Sequence, residues 1–169
     1  QILSRIRDWT QPDGGHWTTV NLNDVATGIE ELLREDHLKR GIRITLALES
    51  PPPLTMGDPV QIEQLLFNLV RNAGEAIGSA NTGNDQVITI ATASRGDKVE
   101  VTVSDTGDGI PPEVLPRLFE PFHSTKAEGM GLGLALCEYI THRMGGGMEL
   151  INNTGRGARA VVTLPVAES

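Results

Sequence analysis

One cysteine, one tyrosine, two tryptophans and three phenylalanines are all that 169 residues hold of those types. The lone Cys137 excludes an internal disulfide and a multi-cysteine zinc site. It lies in the apolar run Leu134-Ala-Leu-Cys-Glu-Tyr-Ile140, which reads as simple packing in a reducing cytosol. Basic residues are also scarce: 14 Lys and Arg against 22 Asp and Glu give a net charge of −8. With no basic cluster to offset that balance, a nucleic-acid-binding surface is excluded. No apolar run approaches the roughly 20 residues that span a bilayer. The N-terminus, Gln1 to Trp9, is short and amphipathic, with no signal peptide and no initial methionine, as expected of a piece of a longer protein.

What is present suits one domain with its own core: hydrophobic residues make up 38% and charged residues 21%. Ile2, Leu3, Ile6 and Trp9 have helical spacing, and Gln11-Pro-Asp-Gly-Gly15 stops them. His16 to Leu22 reads as a strand. Asn23 then caps a helix to Lys39, with Gly41 as its stop. Alternation from Ile42 to Leu48 predicts a half-buried strand, broken by Pro51-Pro-Pro53. Asp58 and Pro59 open a second helix, with Gln61 completing a capping-box pattern. Asn81 to Asp85 is a loop. Val87–Ala91 and Val99–Val103 pair across Arg95-Gly-Asp97. A helix from Leu132 to Met144 and strands at Met148–Ile151 and Ala158–Leu164 follow, turning at Gly155-Arg-Gly157. Strands and helices mix without regular βαβ alternation, which predicts an α/β two-layer sandwich, a mixed sheet with helices on one face.

The second helix carries two stripes. Ile62, Leu65, Leu66, Leu69, Val70, Ala73, Ala76 and Ile77 form an apolar arc. Gln61, Gln64, Asn68, Arg71, Asn72 and Glu75 form a polar one. Asparagine is a poor helix former, so two of them one turn apart do not look like scaffolding. Two further stretches do not look like scaffolding. Ser104-Asp-Thr-Gly-Asp-Gly-Ile110 follows a strand, and it lacks the spacing and the final glutamate of a calcium loop. His123-Ser-Thr-Lys-Ala-Glu-Gly-Met-Gly-Leu-Gly-Leu134 leads into a helix. Its glycines let backbone N–H groups approach a phosphate, without the Gly-Lys-Ser/Thr of a Walker loop.

In this order, the Asn/Asn helix, Asp-x-Gly-x-Gly-Ile, Phe119-Glu-Pro-Phe122 and Gly-x-Gly-x-Gly-Leu resemble the catalytic ATP-binding domain of bacterial sensor histidine kinases. That domain shares a superfamily with DNA gyrase, the mismatch-repair ATPases and the ninety-kilodalton heat-shock chaperone. The resemblance runs from about Trp17 to Pro165, and Arg71-Asn-Ala-Gly-Glu-Ala76 is most similar to the oxygen-sensing and nitrogen-regulatory kinases. It implies a Bergerat-type fold binding ATP with Mg²⁺. Asn72 would offer its amide oxygen to the metal, a hard ion that prefers oxygen and offsets the protein's own negative charge. Asn68 would contact the phosphates or a coordinating water. Asp105 would accept from the adenine amino group and reject guanine, while Gly107, Gly109 and Ile110 would border the ring. Phe119 and Phe122 would anchor a mobile lid, with Thr125 and Lys126 inside it and Gly129, Met130, Gly131, Leu132 and Gly133 as its hinged end. Lys126 is the candidate for the terminal phosphate. Many members carry lysine three residues after the second asparagine; here Glu75 stands there. Either Arg71 or Lys126 replaces that charge, or Glu75 works through the metal's water shell.

The gyrase, chaperone and mismatch-repair branches place a glutamate four residues before the metal asparagine, as base for water. Asn68 cannot take that proton, which favours phosphoryl transfer over hydrolysis. The resemblance therefore implies transfer to a histidine on a separate dimerisation domain, feeding a response regulator receiver domain. His16, His37, His123 and His142 lack the acceptor's sequence context and read as surface, loop or packing residues. Residues 1–12 resemble the tail of the second hairpin helix plus a linker, and residues 13–169 the catalytic domain. The isolated piece would be a monomer and the intact kinase a homodimer, cytoplasmic whether or not it is membrane-anchored. A regulatory nucleotide-binding module and a gyrase- or chaperone-type ATPase are the alternatives.

Overall fold

Among the described residues, local capping and alternation translate into ten elements. In chain order they are β1 (Thr18–Asn21), α1 (Leu22–Lys39), β2 (Ile42–Ala47), β3 (Leu54–Gly57), α2 (Pro59–Ala80), β4 (Gln86–Arg95), β5 (Lys98–Asp105), α3 (Gly133–Arg143), β6 (Gly147–Asn152) and β7 (Ala158–Pro165). The computed structural model describes residues 17–80, 86–114 and 133–167. The expected helix at Ile2–Trp9, the linker, the Asn81–Asp85 loop and most of the lid lie outside them.

The main sheet has the order β2-β4-β5-β7-β6. Only β2 and β4 run parallel; the remaining neighbours are antiparallel. Along β5, Val99, Val101, Val103 and Asp105 are buried while the residues between them are half-exposed. The same alternation buries Ile88 and Ile90 on β4, and Ala160, Val162 and Leu164 on β7. One face of the sheet therefore carries the core, and the helices cover it. The mixed two-layer sandwich expected from the sequence is the fold observed.

Helix α2 supplies the centre of that core through Ile62, Leu65, Leu66, Phe67, Leu69, Val70, Ala73 and Ile77. Each fully buried Leu or Ile is worth about 1.5–3 kcal/mol, so packing rather than propensity holds this helix. Its start is as expected at Asp58, whose Oδ1 accepts from Val60 N–H at 2.9 Å. The capping box does not form: Gln61 Oε1 is buried without a partner.

Two expectations need correction at the chain's beginning. The cap of α1 is Asn21, not Asn23, with its Oδ1 accepting from the N–H groups of Asn23 and Asp24 at 2.9 and 3.2 Å. Asn23 is used across the fold instead. Its Nδ2 donates to Glu49 O at 2.8 Å and its Oδ1 accepts from Thr92 Oγ1 at 2.6 Å, tying α1 to the ends of β2 and β4. The short strand β3 was also unforeseen. It pairs antiparallel with β1, Thr18 opposite Gly57 and Asn21 opposite Leu54.

Helices α1 and α2 meet at a glycine. A Cβ on Gly74 would lie 2.7 Å from His37 Nε2, and Arg40 Nη2 donates to Gly74 O at 3.0 Å. A mid-helix glycine costs roughly 0.5–1 kcal/mol relative to alanine, and here the imidazole fills the space it leaves. His37 is 1% exposed, its Nδ1 sits 3.0 Å from Leu33 O, and its Nε2 has no partner. It is the packing histidine expected. Burial, with Arg40 adding to it, lowers its pKa against the opposing pull of the Leu33 carbonyl and Asp36. The unfolded chain, near 6.5, then takes up a proton that the folded one refuses. Stability from this residue is complete above 6.5 and declines as pH falls toward the lower folded value. Urea midpoints at pH 7.5 and 5.5 check this: the wild type should lose more on acidification than His37→Leu, and equal losses would contradict it.

Candidate functional site

The polar stripe of α2 survives as a surface next to the core. Asn68, Asn72 and Glu75 are half-buried and Arg71 is exposed. Arg71 Nη2 lies 3.9 Å from Glu75 Oε2, and its guanidinium carbon sits 5.9 Å from the centre of the Phe67 ring. The negative charge at 75 is thus answered from within the same helix, one turn back.

Asp105 ends the central strand β5 on its buried side, opposite Ile88. At 8% exposure, a carboxylate needs partners. Its Oδ1 accepts from Gly107 N–H at 2.8 Å and from Ala158 N–H at 3.3 Å. The side chain is therefore oriented by backbone from two separate segments, the following turn and the start of β7.

Both glycine motifs abut α2. A Cβ at Gly107 would stand 2.9 Å from the backbone carbon and oxygen of Ala76, atoms that cannot move aside. Only glycine lets the Asp105 turn lie against the helix here. At the other motif, a Cβ on Gly133 would meet Asn72 Nδ2 and Oδ1, each at 3.9 Å. So Asn72 faces the end of the glycine-rich segment, and Ala76, one turn further along, supports the Asp105 turn. Gly109 has a φ of +82°, a conformation that favours glycine, and a Cβ there would crowd Asn152 Oδ1 at 2.9 Å. Gly107 thus has a structural neighbour in the helix, and Gly109 one in β6.

The sequence profile described as histidine kinase-, DNA gyrase B-, and HSP90-like ATPase matches residues 57–168. The chain belongs to this family, as an ATP-binding domain of the sensor histidine kinase branch. Its relatives include the sensor histidine kinase ZraS of Klebsiella oxytoca, 35% identical over 98% of this chain and 35% of that protein. The sensor protein FixL of Bradyrhizobium diazoefficiens is 33% identical over 99% of this chain and 33% of its own. The chain therefore spans about a third of the length of these relatives. Among solved structures, the nucleotide-free catalytic domain of the histidine kinase ThkA superposes with a TM-score of 0.78 at 32% identity, covering 89% of this chain and 95% of that one. Full-length ShkA in complex with AMPPNP gives 0.80 at 25% identity, over 99% of this chain and 35% of that one.

For this kinase domain, the described residues hold Asn68, Arg71, Asn72, Glu75, Asp105, Gly107, Gly109, Ile110 and Gly133 from the expected site. Phe119, Phe122, Thr125, Lys126, Gly129, Met130, Gly131 and Leu132 lie outside them. Sequence reasoning missed Asn152, Asn153 and Gly157, which pack against the Asp105 turn from the far side. The available signal is the asparagine pair Asn152-Asn153, set between the expected strand and the Gly155-Arg-Gly157 turn. Cys137, in contrast, is the packing residue expected: fully buried, its thiol 3.7 Å from Leu65 O and pushed up to about 12 by burial.

Among the described residues no helix is long and apolar enough to cross a membrane. Nor do three His, Cys, Asp or Glu side chains gather there as a metal cluster.

Proposed function

We propose that this domain binds ATP with Mg²⁺ and delivers the γ-phosphoryl to a histidine on a dimerisation domain of the same protein, which then serves a response regulator. The observation that carries the reading is the convergence on α2, with the Asp105 turn seated on Ala76 and the glycine-rich segment ending at Asn72. Base recognition and phosphate positioning then lie along one helix, about a turn apart.

In this reading Asp105 accepts from the adenine amino group, its carboxylate aimed by the Gly107 and Ala158 N–H groups. Gly109 and Ile110 border the ring. Asn72 turns its amide oxygen toward the metal, and Asn68 contacts the phosphates or a metal-bound water. Mg²⁺, when bound, neutralises phosphate charge and keeps several waters, so one protein oxygen plus phosphate oxygens is a suitable donor set. The half-buried amide of Asn72, opening on a residue without a Cβ, fits that role. The expected lid residues Phe122, Thr125, Lys126, Gly129, Met130, Gly131, Leu132 and Gly133 would close over the triphosphate, and Lys126 would meet the terminal phosphate. The Arg71–Glu75 pair offers Arg71 as the replacement cation, with Glu75 restraining its side chain. AMPPNP in the ShkA complex supports the nucleotide class.

Transfer is favoured over hydrolysis because position 68 carries a neutral amide, which cannot act as base toward water. Glu75, the nearest carboxylate on the stripe, lies within 4 Å of Arg71, 3.9 Å by its Oε2, and beyond Asn72 instead of before it. Calorimetric titration with a non-hydrolysable ATP analogue tests the binding half. Saturable binding is expected with Mg²⁺ and at least about tenfold weaker binding in EDTA, because two positive charges facing the triphosphate are lost. Equal binding of the ATP and GTP analogues would contradict the Asp105 assignment.

A further inference from the structure

Asn152 and Asn153, at the end of β6, belong to none of the motifs that carry the resemblance, yet together they grip both ends of the Asp105–Ile110 turn. Asn152 binds one residue twice: its Oδ1 accepts from Ile110 N–H at 2.7 Å and its Nδ2 donates to Ile110 O at 2.9 Å. Asn153 holds the other end. Its Nδ2 donates to Asp105 O at 3.2 Å, shared with Arg156 O at 3.2 Å and Ala158 O at 3.4 Å. Its Oδ1 accepts from Arg159 Nη1 at 3.2 Å, and its own N–H donates to Gly157 O at 2.9 Å. Gly157, at φ +84°, closes the contact, since a Cβ there would collide with Asp105 O.

The geometry points to Asn152 and Asn153 as positioning residues that set adenine specificity through the placement of the Asp105 carboxylate. This rests on the reading of Asp105 as the acceptor for the purine amino group. The carboxylate takes its orientation from Gly107 N–H and Ala158 N–H, one on each side of the joint that the two asparagines close. Discrimination by a hydrogen bond to a buried acceptor demands placement within about 0.5 Å. Without the two amides the strand ladder still holds Ser104 and Asp105, and Thr106 Oγ1 still accepts from Val87 N–H. The Asp105 carbonyl and Ile110 lose their side-chain ties, however, and Oδ1 drifts from the Gly107 or the Ala158 N–H. Asn153 also borders a recess of about 420 Å³ that reaches the helix-free face beside Thr89, Ser104 and Arg159. Water entering there can satisfy the carbonyls that a shortened side chain abandons, so the fold should persist while the aim is lost.

The test compares two triphosphates, ATP and purine riboside triphosphate, which lacks the 6-amino group, in the wild type, Asp105→Ala, Asn153→Ala, Asn153→Asp and Asn152→Ala. The isosteric Asn153→Asp keeps the volume and the acceptor for Arg159 but cannot donate to Asp105 O. The wild type should prefer ATP by about tenfold or more, the worth of one hydrogen bond to a charged acceptor. The three asparagine variants should bring that preference to within about threefold of unity, with the deamino nucleotide binding within twofold of wild type. Equal weakening of both nucleotides, or no change in either, would overturn the positioning role. If Asp105→Ala itself left the preference intact, the Asp105 reading beneath the proposal would fall. A preference lost in Asp105→Ala but kept in all the asparagine variants would sink the clamp alone.

Discussion

Asn72→Ala is expected to lower phosphoryl transfer by about 10²–10³-fold with the fold intact. That is the usual cost of deleting one preorganised polar group that stabilises charge in a transition state. Asn72 is half-buried on the polar side of α2, while the core is held by Leu65, Leu69, Val70 and Ala73 on the other. Alanine is the better helix former, so thermal stability should not fall. Loss of transfer with an unchanged or raised melting temperature would therefore report on chemistry alone. Asn72→Asp is the informative companion. It preserves an oxygen ligand of the kind Mg²⁺ accepts, and should retain much more Mg²⁺-dependent binding than the alanine variant. Transfer assays with intact kinase, read beside a melting curve, check both. Wild-type transfer by Asn72→Ala would remove Asn72 from the site.

The second large effect is at Asp105. Asp105→Asn keeps the shape and, with its amide oxygen turned toward the Gly107 and Ala158 N–H groups, keeps both of the bonds that orient the side chain. The NH₂ group then faces the adenine amino group, donor against donor. A site that rejects its substrate through an unpaired buried polar group loses on the order of 100-fold in affinity. The 6-oxo purine presents an acceptor at the same position, so GTP should be weakened far less, and the ATP:GTP preference should collapse. Titration of both analogues into the variant measures this. A parallel loss for the two would mean that residue 105 supports the pocket without reading the base.

The elements that were legible are those whose signal is long or chemically unusual. Twenty-two residues of α2 repeat one apolar arc several times, and a turn of two asparagines stands out against it. The strand β5 alternates over eight residues and ends in an acid that the alternation itself places indoors. Elements that escaped have short or ambiguous signals. Four residues of β3, squeezed between three prolines and the Asp58 cap, cannot show periodicity. Asn21 and Asn23 are equally good caps by type, and the choice between them was made at long range, where Glu49 and Thr92 claim Asn23. Gly107 has the same character. The sequence marks it only as a glycine beside the expected ring, and the structure adds the backbone of Ala76 as a close neighbour. Asn152 and Asn153 give no sequence signal of their role because the partners that matter to the site, Ile110 and Asp105, lie more than 40 positions away along the chain. The Arg71–Glu75 pair was within reach of the sequence, being an i,i+4 contact, but family precedent for a lysine drew attention to the missing charge.

The central claim is that the γ-phosphoryl leaves for a histidine and not for water. The direct measurement follows [γ-³²P]ATP in a mixture of this domain, Mg²⁺ and an intact dimerisation domain bearing the acceptor histidine, separating labelled protein from free phosphate over time. The account predicts label on the acceptor as an acid-labile, base-stable phosphohistidine, dependent on Asn72, with little free phosphate when the acceptor is withheld. Rapid release of free phosphate by the domain alone, with no phosphohistidine in the complete mixture, would contradict it.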